Sequence, residues 1–457
     1  MERFSRGRRL LYANGHLGFS ILDNLFGVYL IFFLIPPKEL GMPELVDNTP
    51  IFLGMTIIGI IIIFGRIIDS LADPLVAWWS DNAKFRMGRR KFFMVTGAFP
   101  FALAAALLFF PPVNGVSGAN AWYIAVILGL YFFFYTYYMS PNLALIPELS
   151  RDHKERISVT VLQAVFSIAG AGVVLLTVPM LWDGFQGAGM SITGSFKLTM
   201  VLLAVVAMIS MFLSAAPVDE KRFSGRQPAG VGLLESVKLT LSNSTFIVYM
   251  IGTILYWFAF NIIRAIIAYY PVVLLDKDPG FQTILMAVLF GTAVVVFLLL
   301  PTLSRRFTNK QLMLTGMLSF AVLMAFTAFV DRFGDLKSVV AMIHMALMGF
   351  PVAVLLVIPN AAVSDLSELD GYKTGKNREA MFFGTQGLFM KVNYGIASAI
   401  TASLFAFFGK DIAEPLGVKL AGPVGGLFVL AGFFVFLRFP QKKVTEELAE
   451  YRSRADA

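Results

Sequence analysis

Long apolar blocks separated by short polar segments recur along the entire chain of 457 residues. A block of about 20 apolar residues, folded as a helix, spans the hydrocarbon layer of a membrane. Hydropathy predicts about twelve such blocks. They lie near residues 12–36, 51–79, 92–111, 121–143, 157–182, 197–215, 245–274, 281–302, 311–330, 338–363, 379–408 and 424–439. The pattern therefore predicts an all-α polytopic membrane protein with twelve transmembrane helices.

The composition agrees with this pattern and excludes several classes of protein. Hydrophobic residues make up 57% of the chain and charged residues only 14%, whereas soluble domains carry about 25% charged residues. Cysteine is absent, which excludes a disulfide framework and thiolate metal sites. The three histidines, His16, His153 and His344, are too scattered to indicate a histidine metal site.

The net charge of +8 reflects how basic residues are distributed around the predicted spans. Basic segments precede the first span and follow the second, fourth, eighth, tenth and twelfth, while the opposite loops hold few basic residues. Short loops rich in Lys and Arg remain cytoplasmic. We therefore expect both termini in the cytoplasm and the protein in a bacterial inner membrane. The basic excess is a topology signal, so no nucleic-acid partner is expected.

The longest polar interruption lies near the middle of the chain, with six predicted spans on each side. Its second part is either a short amphipathic helix on the membrane surface or a plain linker. The halves share short motifs, because "MVTG" at Met94–Gly97 opens the third span and "MLTG" at Met313–Gly316 opens the ninth. Two pseudo-symmetric six-helix bundles, as in major facilitator transporters, are therefore predicted. The predicted divisions are a first bundle at 1–215, a linker at 216–244, a second bundle at 245–440 and a cytoplasmic tail at 441–457.

The stretch "GRIIDSLADP" places Arg66, Asp69 and Asp73 inside the second span. Their i, i+3, i+7 spacing puts all three on one helix face. A lone charge at the bilayer centre costs at least about 2.5–3.5 kcal/mol, so these groups should face a cavity or a partner. Two carboxylates one turn apart supply the oxygen ligands of a small cation. A coupling-ion or proton site at Asp69 and Asp73 is predicted, with structural Arg–Asp pairing as the alternative.

Three further charged residues lie inside predicted spans, away from the span ends. Lys391, in "GLFMKV" of the eleventh span, can neutralise the two carboxylates when no cation is bound, or it can snorkel to the membrane interface. Arg264 in the seventh span either grips an anionic group of a substrate or pairs with Asp23 of the first span. The sequence leaves both alternatives open.

A cytoplasmic gate is predicted from charged residues at the ends of spans. Asp81 follows the second span and precedes a basic cluster that includes Arg89 and Arg90. The charged stretch between spans ten and eleven includes Asp365 and Arg378. These groups can form salt bridges that open and close as the two halves rock, although a solvated loop is the alternative.

Three segments carry a resemblance to a known family: "GRIIDSLADPLVAWWSD", "SDLSELDGYKTGKNREAMFFG" and the lysine of "GLFMKV". Over essentially its whole length, the chain resembles the glycoside–pentoside–hexuronide:cation symporter family of the major facilitator superfamily, which includes the melibiose permease. The family's Arg-x-x-Asp-x-x-x-Asp-Pro motif falls on Arg66–Pro74, and its helix-eleven lysine falls on Lys391. The resemblance implies that Asp69 and Asp73 bind a coupling Na⁺, Li⁺ or H⁺.

The sugar-binding pattern of that family is only partly present. Its helix-one carboxylate aligns with Ser20, its helix-four carboxylate with Met139, and its helix-five arginine with Ala164. The resemblance therefore does not identify the solute. The candidate substrate-binding residues are Ser20, Asp23, Asn142, Gln163, Arg264 and Gln386.

The expected function is cation-coupled symport, with Na⁺ or H⁺, of a sugar, glycoside or sugar acid by a monomeric transporter that needs no other cofactor. The alternative cargo is a lysophospholipid or another amphiphile, because related lysophospholipid transporters share the cation residues. An enzyme is not expected, since the sequence carries no nucleophile–base arrangement, no His-Glu-x-x-His and no phosphate-binding loop.

Overall fold

The computed structural model describes residues 5–52, 54–149, 153–220, 242–374 and 379–455. Helices dominate these residues, and a two-stranded antiparallel pair, β1 (Pro50–Phe52) with β2 (Met55–Thr56), precedes the second long helix. The helices are α1 (Arg6–Leu34), α2 (Ile57–Asn82), α3 (Arg89–Leu107), α4 (Gly118–Leu149), α5 (His153–Gly187), α6 (Ile192–Ala215), α7 (Ser244–Ile266), α8 (Phe281–Arg306), α9 (Asn309–Phe326), α10 (Lys337–Thr374), α11 (Glu379–Phe408), α12 (Leu416–Phe436) and α13 (Gln441–Ala455).

Twelve of these helices account for the predicted spans. Ten stretches of the described chain are long and apolar enough to cross a membrane. One of them, Asn309–Lys373, contains both α9 and α10, joined by a 3₁₀ segment at Thr327–Leu336. The second helix, α2, adds a further span, and it carries the three charges that lower its hydropathy. The twelve-helix prediction is therefore consistent with the structure.

Two predicted boundaries differ from the structure. The second span was expected to begin at residue 51, but β1 and β2 occupy residues 50–56 and α2 begins at Ile57, where the Thr56 side chain accepts the Gly59 N–H. Helix α10 continues to Thr374, so most of the predicted loop between spans ten and eleven is helical. Its polar residues extend the helix beyond the apolar block, which hydropathy cannot detect. The predicted amphipathic helix of the linker falls within residues 221–241, outside the described residues.

Each half has a π-helical turn, within its first helix in one half and shortly after its first helix in the other. In α1 this turn spans Leu25–Tyr29, and after α7 a second one spans Tyr270–Leu274. Wide turns of this kind interrupt the regular hydrogen-bond ladder and frequently mark functional sites. The turn in α1 begins two residues after Asp23, which lies at the cavity described below.

The two groups of six helices meet along two seams. Helix α2 packs against α11 on one side, and α5 packs against α8 on the other. We call the end that holds both termini the terminal end: Arg8 lies beside Lys91 there, and α13 pairs with α10 through Glu447 and Lys373. The opposite end, where the segment after α1 meets the segment after α11, is the distal end.

Helix α3 begins at the terminal end with an unusual cap. The residue before it, Gly88, has φ +113°, a conformation that favours glycine, so no side chain is available there to cap the helix. The carboxylate of Glu220 instead accepts the backbone N–H groups of Arg89, Arg90 and Lys91 at 3.1, 2.8 and 2.6 Å. This contact fixes the segment after α6 to the start of α3.

Replacing Glu220 by Ala is expected to lower the free energy of unfolding by about 0.5–2 kcal/mol, the usual contribution of an N-cap. The Glu220→Gln variant keeps an acceptor but loses the negative charge that favours a helix N-terminus, so its loss should be smaller. Thermal unfolding of the purified protein measures both. The control is Glu446→Ala, which removes an exposed i, i+4 pair with Lys442 and should change little. Equal losses for Glu220 and Glu446 variants would contradict the capping role.

Candidate functional site: a charged cluster between the halves and a central cavity

The three charges of α2 lie on one face, as their spacing predicts. Asp69 is fully buried, Arg66 is almost fully buried, and the side chain of Asp73 retains 37% of its exposure. The Arg66 Nη1 atom donates to Asp69 Oδ2 at 3.2 Å. Because Asp73 lies one turn nearer the terminal end, the cluster has one enclosed carboxylate and one that is accessible.

Lys391 of α11 reaches both carboxylates across the seam between the halves. Its ammonium group lies 2.9 Å from Asp69 Oδ1 and 2.8 Å from Asp73 Oδ2. Close approach of α11 to α2 is helped by Gly395, since a Cβ at this position would lie 3.2 Å from Arg66 Cγ. The Lys391 side chain is only 17% exposed, so the structure does not support snorkelling to the membrane interface.

Thr136 of α4 completes the cluster, and it was not predicted from the sequence. Its hydroxyl lies 2.7 Å from Asp69 Oδ1 and 3.2 Å from Asp73 Oδ1. The available signal was weak: Thr136 is a single hydroxyl-bearing aliphatic residue within the aromatic run "YFFFYTYYM", which is typical of packing. A cation that replaced the ammonium group would find oxygen atoms from three side chains here.

Aromatic rings surround the positive groups of the cluster. The Arg66 guanidinium lies 4.3 Å from the ring centre of Phe132 and 4.2 Å from that of Tyr394, while its buried Nε atom has no hydrogen-bond partner. The Lys391 ammonium group lies 5.6 Å from the ring centre of Tyr135. Such cation–π contacts stabilise desolvated positive charges.

The charges of Arg66, Lys391, Asp69 and Asp73 cancel, two positive against two negative. An added cation would leave this buried cluster with a net positive charge unless the ammonium group withdrew. No group of three or more His, Cys, Asp or Glu that could hold a metal ion occurs among the described residues. Two carboxylates with one hydroxyl suit a monovalent ion or a proton better than a tightly held transition metal.

A cavity of about 250 Å³ lies between the two halves. Residues of α1 and α5 line it on one side, and residues of α7, α8, α9 and α10 line it on the other. The lining is largely apolar and includes Trp257, Phe260 and Phe290. The polar lining residues are Ser20, Asp23, Asn24, Ser167 and Arg264. The cavity therefore has a polar side formed by α1, α5 and α7 and an apolar remainder.

The predicted residues Asp23 and Arg264 form an ion pair at this cavity. Arg264 Nη2 lies 2.8 Å from Asp23 Oδ2 and donates to the Asp23 backbone carbonyl at 2.5 Å. The pair connects α1 with α7 and therefore joins the two halves. Arg264 is the basic residue that contacts the cavity among the described residues, so pairing and contact with a substrate are both compatible with its position.

The other candidate substrate-binding residues lie in different places. Ser20 lines the cavity, but its hydroxyl already donates to the Ser167 carbonyl at 2.6 Å. Asn142, Gln163 and Gln386 are buried and do not line the cavity. They therefore take no part in the substrate site proposed below. Trp257, Asn24 and Ser167, which do line it, were not singled out from the sequence.

The predicted cytoplasmic gate is only partly described. The side chains of Asp81 and Arg378 lie outside the described residues. Arg90 donates to the Ala144 carbonyl at 2.5 Å, within the first half, and Arg89 Nε lies 4.0 Å from Glu220 of the segment after α6. Asp365 is half-buried on the extended helix α10. Ion pairing between these residues across the halves stays a prediction.

The distal end instead carries an ionic cluster that sequence reasoning missed. We define this distal ionic cluster as Lys38, Glu44, Lys410 and Asp411. Lys38 Nζ lies 3.0 Å from Asp411 Oδ2, and its backbone N–H donates to Asp411 Oδ1 at 2.9 Å. Lys410 Nζ lies 2.5 Å from Glu44 Oε1. All these contacts join the segment after α1 to the segment after α11, so they bridge the halves.

Two pKa values in the distal ionic cluster reflect this pairing. Partial burial acts to raise the pKa of Asp411, but hydrogen bonds from Lys38 and the charge of Lys410 outweigh it and lower the pKa below 3.8. The hydrogen bond and the charge of Asp411 raise the pKa of Lys38. Both groups are therefore charged at neutral pH and hold the distal end together.

Comparisons with known proteins agree with this architecture. The sequence profile of the family described as MFS/sugar transport protein matches residues 11–437. A Synechocystis protein named uncharacterized symporter sll1374 is 23% identical, covering 96% of this chain and 95% of that protein. The putative glycoside/cation symporter YagG of Escherichia coli is 24% identical over 88% and 87% of the two chains. The sodium-dependent lysophosphatidylcholine symporter 1 of Gallus gallus is 24% identical over 98% and 90%.

A solved structure supports the fold independently. A bacterial homologue of the human lysosomal transporter Spinster, in an inward-facing and unoccupied conformation, superposes with a TM-score of 0.66 at 12% identity, covering 98% of this chain and 99% of that one. The chain belongs to the MFS/sugar transport family. It is therefore a multi-pass membrane transporter of the major facilitator superfamily and not an enzyme, and the resemblance and fold class predicted from the sequence are confirmed.

Proposed function

We propose that this protein is a secondary active transporter that couples the movement of a small polar solute, a sugar, glycoside or sugar acid, to a gradient of Na⁺ or H⁺. The names of its relatives support cation coupling and a glycoside-type solute. The observation that carries the proposal is the contact of Lys391 from one half with both Asp69 and Asp73 from the other.

The coupling step follows from the charge balance of this cluster. A cation that binds Asp69, Asp73 and the Thr136 hydroxyl takes the place of the Lys391 ammonium group, because the same oxygen atoms cannot serve both. Release of Lys391 weakens the contact between α2 and α11 and shifts the population toward a state that binds solute. Each ligand then favours the same state, so the coupling between cation and solute is reciprocal.

The solute site in this proposal is the central cavity. Asp23, Arg264 and Ser20 provide its charged and hydrogen-bonding groups, and Trp257 offers a flat apolar surface on which a sugar ring can stack. Since the cavity lies between the halves, their rocking exposes it alternately to the two sides of the membrane. The charge distribution supports a cytoplasmic terminal end and an external distal end.

The distal ionic cluster closes the external side in this proposal, and Asp411→Asn is expected to open it. Hydrogen bonds to a charged group contribute about 1.5–3 kcal/mol each, so the open fraction should rise roughly 10-fold or more. Because the chain has no cysteine, an introduced Ala171→Cys in the cavity gives a clean reporter. Its labelling in intact cells by a membrane-impermeant maleimide should accelerate in the Asp411→Asn background.

The matched control is Asp331→Asn, which breaks another distal ion pair, with Lys419, within the second half. It should leave the labelling rate unchanged. The lowered pKa of Asp411 means that the cluster stabilises closure at pH values above 3.8 and loses this contribution as the pH falls through the lowered pKa. At neutral pH the charge is intact, so unchanged labelling in Asp411→Asn would exclude the cluster as the closing element.

A thermal-shift panel tests the proposed function directly. Purified protein is screened against sugars, sugar acids and lysolipids, each with NaCl or with choline chloride at equal ionic strength, and at two pH values. If the protein is a symporter, we expect a sugar or sugar acid that stabilises it more strongly in the presence of Na⁺ or at the lower pH, because a ligand stabilises the state that it binds. Stabilisation by solutes that is independent of both ions would contradict cation coupling.

The second candidate is a cation-coupled transporter of a lysophospholipid or similar amphiphile. The largely apolar lining of the cavity and its basic group, Arg264, favour this cargo, and one relative is named as a lysophosphatidylcholine symporter. Uptake of a labelled lysolipid by proteoliposomes, without inhibition by any sugar, would establish it. Competition by a sugar would instead favour the first candidate.

A further inference from the structure

The ring of Tyr394 contacts two guanidinium groups. Its centre is 4.2 Å from the Arg66 carbon Cζ and 5.4 Å from the Arg264 carbon Cζ. Tyr394 belongs to α11, three residues after Lys391, so the two side chains lie on the same side of that helix. A single ring is therefore in contact with positive groups from both halves of the protein.

The two guanidinium groups belong to different sites. Arg66 pairs with Asp69 in the cation cluster, whereas Arg264 pairs with Asp23 at the cavity. Tyr394 contacts both arginines, and it is not among the residues that line the cavity. The ring therefore forms a continuous physical connection from the carboxylates of α2 to the polar side of the cavity.

Helix α1 is shaped to accept this arrangement. Phe26 stacks on Tyr394, with ring centres 5.5 Å apart and an interplanar angle of 27°. The next residue is Gly27, and a Cβ at this position would overlap the Tyr394 hydroxyl and the Arg264 guanidinium. Both residues belong to the π-helical turn of α1. The absence of a side chain at residue 27 is thus what allows the three elements to meet.

We propose that Tyr394 is a positioning residue that transmits occupancy of the cation cluster to the solute cavity. This inference rests on the proposed function. When a cation binds Asp69, Lys391 withdraws and the carboxylate holds Arg66 less strongly. Arg66 then depends more on the rings around it, and the ring of Tyr394 stays against Arg66 while the rest of the contact between α2 and α11 loosens. Arg264 loses part of its support and turns its guanidinium from Asp23 toward a solute.

Trp257 provides a reporter for this connection, because it lines the cavity at which Arg264 ends. Intrinsic fluorescence is followed in the full-length protein as NaCl replaces choline chloride, with a parallel acid titration. The part of the fluorescence change that disappears in Trp257→Phe comes from the cavity, and we call it the cavity response. Thermal stabilisation by the same ion is measured separately and reports the cation cluster itself.

Three variants test the role of the ring. Tyr394→Phe keeps the ring and should keep the cavity response within about twofold, because cation–π contact does not need the hydroxyl. Tyr394→Leu should reduce the cavity response at least about 10-fold, because the ring is the proposed link between the cation cluster and the Arg264–Asp23 pair. Thermal stabilisation by the ion should persist. Gly27→Ala keeps the ring but displaces it. It should therefore also reduce the cavity response while thermal stabilisation by the ion persists.

Each other outcome overturns the inference. A wild-type cavity response in Tyr394→Leu would show that the ring is not the connection. Loss of the response in Tyr394→Phe would assign the effect to the hydroxyl, and loss of ion stabilisation in Tyr394→Leu would make Tyr394 part of the cation site. If the unmodified protein responds to neither ion in either readout, the proposed coupling fails, and the inference fails with it.

Discussion

Asp73→Asn is expected to reduce the apparent affinity for the coupling cation at least about 100-fold. In the structure the charges of Arg66, Asp69, Asp73 and Lys391 cancel. The variant leaves a net positive cluster, so an added cation meets an excess positive charge. At about 4 Å and an effective dielectric constant of about 20, one such repulsion costs about 4 kcal/mol, or roughly 10³-fold in affinity. Ion-induced thermal stabilisation measures the effect.

Lys391→Met should act in the opposite direction. It removes the ammonium group that contacts Asp69 and Asp73 and leaves the cluster with a net negative charge. The apparent cation affinity should therefore rise about 10-fold or more, because neutralisation of a buried charge is favourable. Solute accumulation should nevertheless fall, since the link across α2 and α11 is lost.

The opposite signs of these two effects distinguish a cation site from structural pairing. If the cluster only braces the bundle, both variants should lower stability and neither should change the dependence on the ion. Unchanged ion dependence in Asp73→Asn, together with continued solute accumulation under a Na⁺ gradient, would contradict the proposed site. Measuring stability without the ion separates unfolding from lost binding.

Arg264→Gln is expected to lower solute binding at least about 100-fold and the free energy of unfolding by about 3 kcal/mol. Arg264 and Asp23 retain only 11% and 23% of their side-chain exposure, so the variant leaves Asp23 as a poorly solvated charge without its partner. Breaking a buried ion pair by removing one partner costs about 3–5 kcal/mol, and partial solvation of Asp23 places this pair at the lower limit. Chemical denaturation and solute-induced thermal shifts measure the two effects.

The double variant Asp23→Asn/Arg264→Gln separates stability from function. Removing both charges leaves no buried charge without a partner, so about half or more of the lost stability should return. Solute binding should not return, because the guanidinium proposed to contact the solute is still absent. Recovery of binding in the double variant would show that Arg264 serves the fold alone and that the solute lies elsewhere.

Several features followed from local sequence. The apolar blocks and the alternation of basic loops predict the twelve helices, since the bilayer sets their length and the charge bias sets their orientation. The spacing of Arg66, Asp69 and Asp73 placed them on one face, because a helix repeats every 3.6 residues. Lys391 was a candidate partner because a charge buried among apolar residues needs a compensating one, with snorkelling to the interface as the alternative.

Contacts between distant helices depended on the tertiary structure. Lys391 meets Asp69 across 322 residues of chain, and Thr136 joins them from a run that is typical of packing. Asn142, Gln163 and Gln386 are polar and lie within helices, yet they do not line the cavity. The contacts of the distal ionic cluster were likewise visible only in the tertiary structure, because its four residues come from two loops with ordinary surface composition.

The sequence by itself determined the class of protein, the number of spans and the helix face that carries the charges, because each depends on hydrophobicity and helical periodicity within one segment. The tertiary structure decided which of the buried polar groups meet, which loops contact each other at the distal end and that Tyr394 contacts two arginines. These contacts depend on how each helix is rotated and how deeply it is placed against its neighbours. Side-chain packing across the whole bundle sets that rotation, and no single segment encodes it.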